Sequence, residues 1–309
     1  MTLVSVPPQP LLGVPSGPLT PRLGIVIVTR NRVATLLGTL ARLTTLPEAP
    51  TLVVVDNAST DGTTAAVRRA FPAVAVIALA RNHGGVARNY GAHFLEQSYV
   101  AFADDDSWWG PGSLTRAVTL FDRHPRLGLL MSRILVGPEE RLDPACAAMV
   151  GSPLPRPTDI PGVPLLGFIA CGAIVRRAAF LDVGGFHPRF GTGGEEAWVA
   201  MNLAARGWHL AYVDAVVSHH HPSASRPNMR ERYIEGVSDR LWEAWLRRPL
   251  GVALQITGRH LRLALTDPIN RAGLRRALRS LPRAWRERAV LPPHVEAQIR
   301  LLERHDVTR

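Results

Sequence analysis

Three consecutive carboxylates, Asp104, Asp105 and Asp106, close the apolar run Tyr99-Val100-Ala101-Phe102-Ala103, and Trp108-Trp109 follow almost at once. Acids held at the end of a strand can grip a divalent cation and the phosphates it carries, because hard cations such as Mg2+ take oxygen ligands and share them with substrate. Taken alone, such a triplet is more often a solvated turn. Its company along the chain argues otherwise. Arg88 stands near the start of a predicted helix, where a guanidinium and the helix N-terminus together suit a diphosphate. Glu195-Glu196 follow Gly193-Gly194 at the start of another helix, a position that favours negative charge. His219-His220-His221 ends the last apolar run.

Regular elements must hold these groups. Residues 23–28 form a continuous β-branched run, and helical spacing of Leu36, Leu37, Leu40 and Leu43 follows it. Further strands are predicted over 51–55, 74–79 and 99–103, with helices over 63–70 and 84–96 between them. This alternation is the rhythm of a mostly parallel sheet with helices on both faces, which binds ligands at the carboxyl ends of its strands. Every polar cluster in this half falls at such an end: Thr29 to Arg32, Asp56 to Asp61, Arg81 to His83, and Asp104 to Asp106. Beyond the triplet, 111–121 reads as helix, 137–162 as Pro-rich and irregular, 168–175 as strand, 195–206 as helix and 210–217 as strand. Residues 1–20 read as a flexible Pro-rich leader, 21–225 as the α/β domain, and 226–309 as a basic helical extension. Within that extension Tyr233, Val237, Leu241 and Trp245 recur every four positions, an amphipathic pattern.

The chain of 309 residues carries a formal net charge of +11, and all 36 basic residues are arginine. Half of those arginines, 18, lie from Arg226 onward with only 9 acidic residues, so the basic excess concentrates in the extension. This suggests an anionic surface as partner, either a membrane leaflet or nucleic acid. Only Cys146 and Cys171 are present, without a CxxC pair, which points to a reducing cytoplasm. No basic leader with an apolar core is visible, and the longest apolar candidate, 163–175, falls short of the roughly 18 residues needed to span a bilayer. The expectation is a cytoplasmic protein, peripheral at the inner face of the membrane.

With these motifs in order, the chain resembles the family 2 glycosyltransferases of the GT-A fold. Val53-Val54-Val55-Asp56-Asn57-Ala58-Ser59-Thr60-Asp61-Gly62-Thr63 is similar to their second-strand motif, and Arg81-Asn82-His83-Gly84-Gly85-Val86-Ala87-Arg88-Asn89-Tyr90-Gly91 to the next. Phe102-Ala103-Asp104-Asp105-Asp106 resembles their DxD site, and Gly184-Gly185-Phe186 with Gly193-Gly194-Glu195-Glu196 resembles the segment bearing their catalytic base. Tyr212-Val213 with His219-His220-His221-Pro222-Ser223 matches a variant of the closing motif. The likeness covers about residues 21–225. It implies inverting transfer of a sugar from a UDP- or dTDP-sugar to an acceptor hydroxyl on a glycan, lipid-linked glycan or small metabolite, with Mg2+ or Mn2+ bound. Thr29, Arg32, Asp56, Asn57, Asp61, Arg81, Gly84, Arg88, Asp104 and Asp105 would then bind the nucleotide-sugar. Asp104 and Asp106 would hold the metal, with His219 as third ligand and His221 next in line. Glu196 would be the base; the family pattern has Asp there, so Glu195 stays open as the alternative. Two other readings compete. A sugar-1-phosphate nucleotidyltransferase would carry a Gly-rich loop after the first strand, absent from Val28-Thr29-Arg30-Asn31-Arg32. An Arg-rich nucleic-acid-binding protein would leave the carboxylate triplet without a role.

Overall fold

The computed structural model describes residues 22–190, 194–222 and 229–307. The Pro-rich residues 1–20, Gly193 and Ser223 of the motifs above, and Arg226 lie outside them.

A ten-stranded sheet organises the chain up to His220. Its first half follows the predicted alternation: β1 (Leu23–Thr29), α1 (Val33–Leu43), β2 (Thr51–Asp56), α2 (Thr63–Ala70), β3 (Ala75–Ala78), α3 (Ala87–Phe94) behind a 3-10 turn at Gly84–Val86, and β4 (Tyr99–Asp104). These strands are parallel and ordered β3-β2-β1-β4. They read as unbroken apolar runs because both faces are buried. Val26, Val53, Val55, Val100 and Phe102 join one core layer, while Ile25, Ile27, Val54, Ala101 and Ala103 join the other with Leu36 and Leu40 of α1. Helix α3 lies so close to β1 that a Cβ on Gly91 would stand 2.4 Å from Val26, an approach that glycine alone permits.

The second half comprises β5 (Ser107–Trp109), α4 (Ser113–Arg123), β6 (Leu127–Val136), β7 (Arg141–Leu142), α5 (Pro144–Val150), β8 (Val163–Pro164), β9 (Ala173–Arg176), α6 (Arg177–Asp182), α7 (Glu195–Ala205) and β10 (His209–His220). It continues the sheet as β4-β9-β6-β10-β5, with β9 and β5 antiparallel to their neighbours and β6 parallel to β10. Strand β6 has no counterpart in the sequence reading. Leu129 and Met131 enter one core layer and Leu127 and Leu130 the other, so no alternation betrays it. The strand expected over 168–175 shrinks to β9 because Ala170–Gly172 forms a 3-10 turn. The stretch 137–162, expected to be irregular, contains β7, and α5 starts there on an Asp143 cap whose Oδ1 accepts from Ala145 N at 2.8 Å.

Four helices follow: α8 (Met229–Arg247), α9 (Leu250–Leu263), α10 (Pro268–Arg286) and α11 (Pro293–Val307). Helix α8 buries Ile234, Leu241, Trp242 and Leu246, whereas Tyr233 is 59% exposed, so the buried stripe is offset from the expected one. Against α10 it packs tightly enough that a Cβ on Gly273 would meet Val237 at 2.6 Å. Helix α11 returns to the main core, where Val295 joins Val199 and Leu203 of α7. Among the described residues no helix is long and apolar enough to cross a membrane. Cys146 and Cys171 are buried free thiols.

Candidate active site

The sheet order reverses between β1 and β4, and such a switch point opens a crevice at the strands' carboxyl ends. There the expected residues meet. Thr29 Oγ1, at the end of β1, donates to Asp105 Oδ2 at 3.0 Å. The Arg32 guanidinium bridges the cluster, 2.7 Å from Asp105 Oδ1 and 3.0 Å from Asp106 Oδ2. Arg88 pairs with Asp104 and reaches Glu195 Oε1 at 3.9 Å. Asp105 and Asp106 are buried, while the Asp104 side chain keeps 35% of its surface open. Burial, with Asp106 beside it and Arg32 opposing, pushes the Asp105 carboxyl up to about 7. For Asp106 burial also pulls upward, but the His220 hydrogen bond and the charges of His220 and Arg32 hold it below the usual carboxylate range.

The ends of β2 and β3 are tied to each other and to the first helix. Asp56 is buried, its Oδ1 accepting from Ser59 N at 2.9 Å and its Oδ2 from the Thr64 hydroxyl. Asn57 is a latch: its Oδ1 accepts from His83 N at 2.7 Å and its Nδ2 donates to Gly84 O at 3.1 Å. Asp61 accepts from Val33 N and Thr63 N, both at 3.1 Å, and so caps α1 and α2 together. The side chains of Asn57 and Asp61 thus tie together the loops at the strand ends where the nucleotide-binding residues were expected. Arg81 is exposed beside His83, and Gly84 takes φ +57 with open space where a side chain would stand.

Across the crevice stands the start of α7. A Cβ on Gly85 would lie 2.2 Å from Glu195 Oε1, so the Glu195 carboxylate rests directly on the loop ahead of α3. Burial, with Glu196 adjacent and Arg88 opposing, pushes Glu195 up to about 8. Burial likewise raises Glu196, whose Oε2 is buried and has no hydrogen-bond partner among the described residues. Arg88 Nε is in the same state. One residue that the sequence reading assigned no role joins the two sides. Asn89 of α3 accepts from Phe186 N at 3.0 Å and donates to Phe186 O at 2.8 Å, clamping the Gly184-Gly185-Phe186 turn. Its place within the quoted motif is the signal that could have found it.

The three histidines expected near the metal divide between the two faces of β10. Strand β10 pairs His219 with Trp108 and His220 with Ser107, and paired residues share a face. His219 therefore stacks on Trp108 at 5.5 Å with Nδ1 3.3 Å from Glu140, and His221 meets the same indole edge-on. His220 instead faces Asp106, its Nε2 3.4 Å from Oδ1. A shift of one residue moves a strand side chain to the other face, so His220, and not His219 or His221, stands beside Asp106 in this structure. Among the described residues no three His, Cys, Asp or Glu side chains are arranged to cage a metal ion. Asp104 and Asp106 could supply carboxylate oxygens to a cation whose remaining ligands come from substrate phosphates, as Mg2+ is usually held.

The family model for Glycosyl transferase family 2 matches residues 24–184. An N-acetylglucosaminyl-diphospho-decaprenol L-rhamnosyltransferase of Mycobacterium tuberculosis is 30% identical over 244 residues, 67% of this chain and 78% of that protein. Among solved structures, the mannosyltransferase PcManGT from Pyrobaculum calidifontis, in complex with GDP-Man and Mn2+, aligns with TM-score 0.54 and 19% identity over 93% of this chain and 80% of its own. The S. aureus TarS structure with UDP-GlcNAc aligns with TM-score 0.55 and 16% identity, covering 90% and 83%. Family match and sheet agree: the chain belongs to glycosyl transferase family 2 and is a glycosyltransferase with the GT-A fold.

Proposed function

We propose that this enzyme transfers a sugar, with inversion, from a UDP- or dTDP-sugar to a hydroxyl of a lipid-linked acceptor, with Glu196 as general base and Mg2+ or Mn2+ bound. One observation carries the reading. Arg88 joins Asp104 at the end of β4 to Glu195 at the start of α7, so the acidic strand end and the glutamate turn line one site. The acceptor class is suggested by the decaprenol-linked substrate in the name of the mycobacterial relative.

In this reading Thr29, Arg32 and Asp56 flank the nucleoside, and Asn57, Asp61 and Gly84 hold the loops around it. Asp104 and Asp106 hold the cation, which when bound offsets the charge of the departing diphosphate. Arg88, with its unpartnered Nε, donates to the diphosphate from the helix start. Glu196 removes the acceptor proton through its free Oε2, which burial makes more basic than an ordinary carboxylate. His220 and Arg32 orient Asp106. Domain limits are proposed as residues 21–225 for the transferase and 226–309 for the helical extension.

The test is calorimetric titration with UDP, dTDP and GDP, with and without Mn2+. Metal-dependent binding of UDP or dTDP that is lost in Asp106→Ala supports the reading. Indifference to every nucleotide ends it.

A further inference from the structure

Helices α9 and α10 carry a chemistry that the active site does not use. On α9, Leu250, Leu254 and Leu261, with Leu265 just beyond its end, are 45%, 54%, 52% and 77% exposed. At about 100° per residue these four positions fall within an arc of about 60° on one side of the helix. The helix packs inward on a different line, Ala253, His260 and Ala264. On α10, Leu278 and Trp285 are 52% and 56% exposed. Trp245 of α8 donates to Thr257 Oγ1 at 2.9 Å and lies 6.2 Å from the Trp285 ring, which sets that indole beside α9.

Charge accompanies the leucines. Residues 250–286 contain eight arginines and a single acid, Asp267, which is consumed in capping α10 through Ile269 N. Arg276 and Arg283 pair with glutamates elsewhere. Arg259, Arg262, Arg275, Arg279 and Arg286 are exposed and have no ion-pair partner among the described residues. On α9 Arg262 falls about 60° beyond the edge of the stripe and Arg259 about 120° beyond it, so an exposed leucine face, unneutralised arginines on the same two helices and a tryptophan beside α9 together give the pattern of helices lying in the interface of an anionic bilayer. A protein partner of mixed charge would leave five like charges uncompensated.

We propose that the exposed α9 face, with Trp285 and the α9–α10 arginines, docks this enzyme on an anionic lipid surface. The proposal deepens the lipid-linked acceptor reading and rests on it for its purpose. Its test measures lipid binding without turnover, so either can fail alone. The full chain is sedimented with phosphatidylcholine vesicles and with phosphatidylcholine–phosphatidylglycerol vesicles at low and high salt. The wild type should bind the anionic vesicles, be released by salt and ignore the neutral ones. Leu254→Asp with Leu261→Asp should lose about tenfold or more in vesicle affinity. Arg259→Glu with Arg262→Glu should lose about fivefold per charge. Both variants should bind UDP as the wild type does. Unchanged binding by both variants, or equal binding to neutral vesicles, overturns the proposal. So does a wild-type dimer in light scattering that the leucine variant turns to monomer, since the face would then belong to a second copy.

Discussion

Glu195 and Glu196 are neighbours in sequence but differ in surroundings. Glu195 rests on the Gly85 backbone and faces Arg88, whereas Glu196 keeps an oxygen without a partner. Glu196→Gln should therefore lower kcat by about 10²–10⁴ while UDP binding stays within about twofold, measured by transfer assay and calorimetry. If Glu195→Gln shows that split instead, the bases are exchanged. The raised Glu195 pKa carries a stability sign. Its folded value, about 8, lies above the ordinary 4.5, so the neutral form stabilises the fold below about 4.5 and that stability is lost as pH rises through 8. Glu195→Gln should thus raise Tm relative to wild type above pH 8 and leave the difference near zero in acid, read by calorimetry across pH. Gly85→Ala places a methyl where the Glu195 carboxylate stands. A displacement of that size should cost about 10²-fold in kcat, with little change in nucleotide affinity.

At the scale of elements, the glutamate turn is held from both sides. Asn89 clamps residues 184–186 from α3. From α8, Asp239 pairs with Arg189 at 3.1 Å and Arg247 donates to Asn202 of α7 at 2.8 Å. Trp242 is buried there against Phe190. The end of α8 is fixed in turn by Arg248, buried between Glu296 at 2.6 Å and Glu303 at 2.8 Å on α11. Arg248→Met removes charge-assisted bonds from both glutamates, but Glu296 keeps Arg300 at 2.7 Å and Glu303 is 54% exposed, so it should destabilise by roughly 1.5–3 kcal/mol in urea unfolding. A loss under 1 kcal/mol would mean the pair is not held as described. The first four strands and the polar clusters at their ends were legible because a parallel strand writes itself as an apolar run ending in polar residues. Strand β6 was not, since Gly128, Ser132 and Arg133 interrupt its apolar residues and leave neither an unbroken run nor an alternation. The parity of His220 was not legible either: it depends on pairing with β5, a three-residue strand with no sequence signature. Asn57 and Asp61 lay at the right place in the motif, but which partner their oxygens take is decided by loops brought together only in the fold.

For the molecule as a whole, the question is whether sheet and helical extension behave as one unit. The core layer that contains Val53 and Phe102 also contains Val199 and Leu203 of α7 and Val295 of α11. Helix α11 thus belongs to the core of the sheet although it lies at the far end of the sequence. Helix α8 lies between, pinned to the glutamate turn and to α11. Continuous burial of this kind makes partial unfolding costly, because detaching α8 to α11 would expose Trp242, Leu246 and Val295 together. A single cooperative transition is expected, with tryptophan fluorescence and far-ultraviolet circular dichroism coinciding on heating. Saturating UDP with Mn2+, at about 100 times Kd, should then move both signals upward together by about 5 °C, since a ligand held at the β1–β4 crevice stabilises everything that melts with it. Two separate transitions, with only one responding to nucleotide, would show that the extension is an independent body and that its contacts with the glutamate turn carry no stability.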